Sequence, residues 1–243
     1  MILGNVRRRL GRDDAQLALR LVAKGSGDEL ARSERVLRDD GLDALLDDPR
    51  LPDALMESRQ GCNASLPLFS YVVVRHALRR LGENDRGIAD YVAAILLEFG
   101  LRHRADRIAN SDDEQYDTLA AIMGDAGDAE ATRSFLVRAH LGNYALWMCG
   151  LFPDFIVARR YRRGGPDLDY YQEMGARGFH LAAEHRLAEQ HGLAELYESV
   201  AQRFELLRMA LNSVSDTHLF PNHHSPDRLL RQVSDEARWR KVG

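Results

Sequence analysis

The stretch "HLGNYALWMCGLFPDF", residues His140 to Phe155, decides how the chain is read. From Leu141 to Pro153 it holds thirteen positions without a formal charge, in a 243-residue chain of which 29% is Asp, Glu, Lys or Arg. Such a run is a membrane span, the wall of a pocket or the enclosed middle of a water-soluble fold. A span needs roughly 20 apolar residues to cross about 30 Å of hydrocarbon. Thirteen fall short, Asn143 interrupts them and Pro153 closes them. The expectation is a central apolar helix near 130–152, apolar on nearly every side and therefore surrounded by other helices. Gly142 and Cys149 leave room for neighbours to pack close, and Pro153 stands where the next helix would start.

Along the rest of the chain helix signals recur and strand signals hardly appear. "SGDE" (Ser26–Glu29) and "SDDE" (Ser111–Glu114) fit the S-x-x-E capping box, and Ser225-Pro226 fits an N-cap followed by proline at the first helical position. Gly41, Gly82, Gly100, Gly164-Gly165 and Gly192 each follow an apolar or basic stretch, as a helix-terminating glycine does. "SLPLFSYVVVRHALRRLG", residues 65–82, is ambiguous, because Val72, Val73 and Val74 suit a buried strand. Its length and basic tail favour a helix capped by Ser65. The fold class is all-α: one domain over residues 1–243 of about eight to ten helices, with "RRGGPDLD" near 162–169 as the place where sub-bundles would divide.

Two long amphipathic helices are expected in the C-terminal half. In one, Leu193, Leu196, Tyr197, Val200, Phe204, Leu207, Leu211 and Val214 share a stripe, with Glu198, Glu205, Asn212 and Asp216 on the opposite side. The helix before it carries Tyr170, Tyr171, Met174, Gly175, Gly178, Leu181, Ala182 and Ala188 on its apolar face, and Gly178 and Ala182 allow a close approach. The two should form an antiparallel hairpin.

Composition excludes several function classes. A net charge of −4 gives no global field for nucleic acid, although both chain ends are mildly basic, through Arg7, Arg8, Arg9, Arg12 and Arg20 and through Arg228, Arg231, Arg238, Arg240 and Lys241. Cys62 and Cys149 are too few and too far apart in sequence for a disulfide framework or a thiolate zinc site, which suits a reducing compartment. "MILGNVRRRLGRDD" turns polar too soon for a signal peptide, so the cytoplasm is the expected location. No phosphate loop, dinucleotide fingerprint, H-E-x-x-H, EF-hand loop or G-x-S-x-G is present.

Several residues could carry chemistry. His140, Tyr144 and Trp147 follow the i, i+4, i+7 spacing of one helix face and line either the core or an apolar pocket. His185, between Leu181 and Ala188 with Glu189 one turn on, is expected in an apolar face, as a satisfied core histidine or as a ligand or base. Glu98 is the only charge between Asp90 and Arg102; it reaches water at a helix edge or meets a cation such as Arg75, Arg79, His76, His140 or His185. Glu98, His140 and His185 are the metal candidates, and no particular cofactor is implied. Glu173, Arg177, His180, Glu184 and His191 share one side of their helix and read as solvated pairs. The acidic stretch "DDGLDALLDDPRLPD", residues 39–53, reads as caps and solvated faces. His223-His224 belongs to an exposed connection. The expected function is a binding, self-associating or regulatory helical module with a protein partner; the alternative is a helical-bundle enzyme with an internal site around His76, Glu98, His140 and His185.

Overall fold

The structure is a computed structural model that describes residues 1–101, 104–108, 115–116, 118–125 and 131–239. The predicted capping box at Ser111–Glu114 and the basic residues Arg240 and Lys241 lie outside the described residues. Among the described residues there are fourteen α-helices and no strand. Contact density divides the chain into two compact units, residues 2–97 and residues 98–243 with Met1.

The first unit holds α1 (Arg12–Ala23), α2 (Gly27–Asp39), α3 (Leu42–Leu46), α4 (Leu51–Glu57), α5 (Leu66–Arg80) and most of α6 (Arg86–Phe99). The ambiguous valine run is helical: Val72, Val73 and Val74 are buried in α5, and Ser65 Oγ accepts from the Leu68 N–H at 3.1 Å. Pro67 is accommodated in the first turn, where its missing N–H would have had no helical partner. Ser26 caps α2 through the Glu29 N–H, but the Glu29 carboxylate turns away to Arg32 and Arg50 instead of closing the box.

The second unit is built on α8 (Ala131–Leu151), the predicted central helix, with every residue from Ala139 to Leu146 buried. The α7 helix (Leu119–Gly124) precedes it, and Pro153 opens α9 (Pro153–Arg163) after a 93° bend at Phe152. Among the described residues no single helix is long and apolar enough to cross a membrane. Against α8 lies α10 (Leu168–Ala183), antiparallel and in close approach. A Cβ on Gly178 would stand 2.9 Å from the Gly142 nitrogen and 3.0 Å from the Arg138 oxygen, and one on Gly142 would meet the Phe179 ring at 2.7 Å. Small residues at this crossing are therefore a steric requirement.

The segment predicted as two long helices is broken twice, which raises the helix count above eight to ten. The first stops at Ala183; His185 then caps the short α11 (Arg186–Gln190) by accepting the Leu187 N–H on Nδ1 at 3.2 Å. The second is interrupted at Arg203, between α12 (Ala194–Gln202) and α13 (Phe204–Val214). The hairpin is antiparallel, since His180 pairs with Glu198 while Gln172 meets Arg208. The predicted stripe is buried apart from half-buried Leu196.

The opposite side of that helix is a correction. Asn212 is buried, donating to the carbonyls of Cys149 and Gly150 at 2.8 and 2.7 Å, where it satisfies the otherwise open C-terminal carbonyls of α8. Asp216 lies in the π-helical turn Ser215–Leu219, and with Glu205 it is met by the last helix, α14 (Pro226–Trp239). Ser225 caps α14 through the Arg228 N–H at 3.1 Å, as the Ser-Pro pair implies.

Candidate functional site

The nominated residues fall in both units, and among the described residues of the second unit they divide into separate contacts. In the first unit, His76 Nε2 lies 2.9 Å from the Leu46 carbonyl; burial pulls its pKa down, and that hydrogen bond counters it in part. In the second unit, His140 packs at 5.5 Å from Phe99 and 6.2 Å from Tyr144, and Phe99 stands edge-on to Trp147 at 5.9 Å. Burial, reinforced by the positive charges of Arg104 and the N-terminus, pushes His140 down to about 3, so its imidazole is neutral at physiological pH. One ring nitrogen bonds to the backbone of Ala105, and Nε2 has no hydrogen-bond partner. Glu98 is half-buried beside Phe99, and its charge acts on the Met1 amine.

His185 is elsewhere. The helix break moves it out of the apolar face into a half-exposed cap, stacked on Phe135 at 5.4 Å, and Glu189 is exposed. Burial and the charges of Arg138 and Arg186 lower its pKa. His140 sits more than one helical turn along α8 from Phe135, so the two histidines serve different contacts. Among the described residues no group of three or more His, Cys, Asp and Glu side chains is placed to hold a metal ion. Glu173, Arg177, His180, Glu184 and His191 are exposed, with His180 2.8 Å from Glu198 and 3.5 Å from Glu184. His223 and His224 are exposed as well.

What sequence reasoning missed are two sets of ion pairs. In the first unit, Asp47 receives Arg75 at 2.8 and 3.1 Å and Arg86 at 2.8 Å. Burial alone would raise its pKa, but these guanidiniums outweigh that and hold it at about 2. Asp47 is therefore an ion-pair hub and no solvated face residue, a correction to the reading of the acidic stretch. Nearby, Asp90 accepts the Arg7 backbone N–H at 2.8 Å, while the Arg7 side chain reaches Asp43.

The second set holds α14. Arg228, only 3% exposed, reaches Asp216 and the carbonyls of Phe220 and His223; Arg231 adds two bonds to Asp216 at 2.9 and 3.1 Å. One and two turns further on, Asp235 pairs in two-point fashion with buried Arg208 at 2.8 and 3.2 Å, and Arg238 meets Glu205 at 2.6 Å. Arg228, Arg231 and Arg238 are thus partners of acidic residues within the same unit. Residues 228, 231, 235 and 238 recur at helical spacing and define the inward side.

The outward side is apolar. Leu229, Leu230 and Val233 are 57%, 70% and 67% exposed. Beside them, α9 presents Phe155 and Tyr161, both more than half exposed. Two grooves run between the helices: one of about 460 Å³ lined by Val157, Tyr161 and Leu230, and one of about 350 Å³ lined by Phe155, Val157 and Ala158, with Asp227 at both. A helix that turns Arg228, Arg231 and Asp235 inward and Leu229, Leu230 and Val233 outward departs from the usual arrangement on a protein surface.

The chain matches no described protein family, no curated protein and no solved structure. The face formed by α9 and α14 stands on geometry alone.

Proposed function

We propose that the chain is a protein-binding module whose contact face is the outer surface of α9 and α14. The observation that carries this reading is the orientation of α14. Arg228, Arg231, Asp235 and Arg238 are already paired with Asp216, Arg208 and Glu205, so its apolar side gains nothing from the fold. Contiguous exposed apolar surface rimmed by polar groups marks interaction sites. A reducing compartment such as the cytoplasm accords with two free thiols, Cys62 and Cys149. The alternative, an internal cofactor site, keeps the unpaired Nε2 of His140 in its favour, but His185 does not join it.

The test is hydroxyl-radical footprinting of Phe155, Tyr161, Leu229 and Leu230. Oxidation of these side chains is measured in native extract and in dilute purified protein. Protection in the extract is the expected result. Equal oxidation in both would refute the use of this face.

A further inference from the structure

The α9/α14 face also indicates what covers it, an inference that rests on the reading just given. We infer that the occupant is a second copy of this chain, paired about a twofold axis that sets α9 antiparallel to its mate. Three features point to self-pairing.

The first is size. Phe155, Tyr161, Leu229, Leu230 and Val233 are each more than half exposed. With aromatic side chains offering 150–250 Å² apiece, they and the groove rims present on the order of 600 Å², above most monomer patches and close to the ~800 Å² that each partner contributes to a standard interface.

The second is shape. Each groove has an exposed aromatic residue in its lining, Tyr161 in one and Phe155 in the other. A twofold interface uses the same patch on both copies, so it needs projections and hollows on one surface.

The third is charge. At the end where α9 and α14 begin, Asp227 lines both grooves and Asp154 one of them; at the far end of α9, Arg162 and Arg163 follow Tyr161, and with Arg160 they outnumber Asp167 and Asp169, which line the groove there. None of Asp227, Arg162 and Arg163 takes part in an ion pair among the described residues. Antiparallel pairing sets the acidic end of one copy on the basic end of the other and opposes the two helix dipoles. A parallel arrangement would set like charge on like.

Sedimentation velocity of the full chain over a micromolar concentration series tests this, with far-UV circular dichroism confirming that each variant is folded. The wild type is expected to be a dimer. Leu230→Asp should make it a monomer; Asp227→Arg, or Arg162→Asp with Arg163→Asp, should each raise the dissociation constant at least tenfold; and the three reversals together should restore pairing. A dimer indifferent to all these changes would overturn the inference. So would a wild-type monomer, and footprinting then tells the two readings apart. Protection of Leu230 in extract would mean that a different chain occupies the face, leaving the binding reading intact. Absence of protection would end both.

Discussion

If α14 is docked through its charges, Asp235→Asn should loosen it and Leu230→Ser should not. Asp235 is 16% exposed and its partner Arg208 only 3%. Removing one member of a buried ion pair costs about 3–5 kcal/mol, because the remaining charge is stranded. Here the loss is smaller: Asn keeps one acceptor, and Asn212 and Gln172 still accept from the same guanidinium. A cost of about 2–3 kcal/mol is left, local to the last helix, which corresponds to amide hydrogen exchange about 30- to 150-fold faster across 226–239. In Leu230→Ser the lost side chain is 70% exposed. If α14 were instead held by an apolar face, that change would forfeit up to about 1.5–3 kcal/mol; docked as described, it should stay within about 0.5 kcal/mol. The measurement is exchange mass spectrometry of the α14 peptides in dilute protein, where self-pairing is not populated. Faster exchange in Leu230→Ser than in Asp235→Asn would refute the inverted docking and with it the proposed face.

Two further outcomes follow from the packing and the ion pairs. Gly178→Ala should destabilise the second unit by about 1–2 kcal/mol in urea unfolding followed by tryptophan fluorescence in a Trp239→Phe background, which leaves Trp147 as the reporter, because the backbone atoms at 2.9 and 3.0 Å cannot step aside. This is an overpacking cost of about 1–3 kcal/mol set against a helix-propensity gain of about 0.5–1 kcal/mol; a stabilised variant would show that the helices do not approach this closely. Asp47 is held at about 2 in the fold against 3.8 unfolded, so its contribution is fully present above pH 3.8 and disappears as pH falls toward 2. At 1.36 kcal/mol per pH unit this amounts to about 2 kcal/mol. Asp47→Asn should therefore lose about that much at neutral pH and show a flatter acid limb; identical acid transitions in the two proteins would contradict the pairing.

Much of the second unit was legible in the sequence. The uncharged run and its closing proline mark the place of α8, and Gly142 and Gly178 each signal a close approach in the sequence, although not that they meet each other. Ser65 and Ser225-Pro226 marked helix starts because side-chain capping is local chemistry. The breaks at His185 and Arg203 were not legible. Apolar periodicity continues through both, and histidine acting as a cap through Nδ1 leaves no pattern. The candidate site suffered most, since His185 was nominated from a helix face that ends before reaching it.

A helical wheel says which residues share an azimuth and is silent on what covers that azimuth. Asn212 and Asp216 lie on the polar side of the α12–α13 stripe, where solvent was the natural assignment. Their partners arrive from the chain 12 to 63 residues away. The same ambiguity hid Asp47, whose arginines lie 28 and 39 residues further along.

The inverted placement of α14 has a physical rationale that a hydrophobically docked helix would lack. Ion pairs and capped carbonyls fix register: Arg228 fits where Asp216 and the Phe220 and His223 carbonyls converge, and Arg208 donates to both carboxylate oxygens of Asp235. Apolar packing would tolerate sliding, whereas a directional polar seam holds Leu229, Leu230 and Val233 at one height beside Phe155 and Tyr161. Such positioning is superfluous on a surface that meets only water. It matters on one that meets a complementary face, because side chains already held in place lose less freedom on binding.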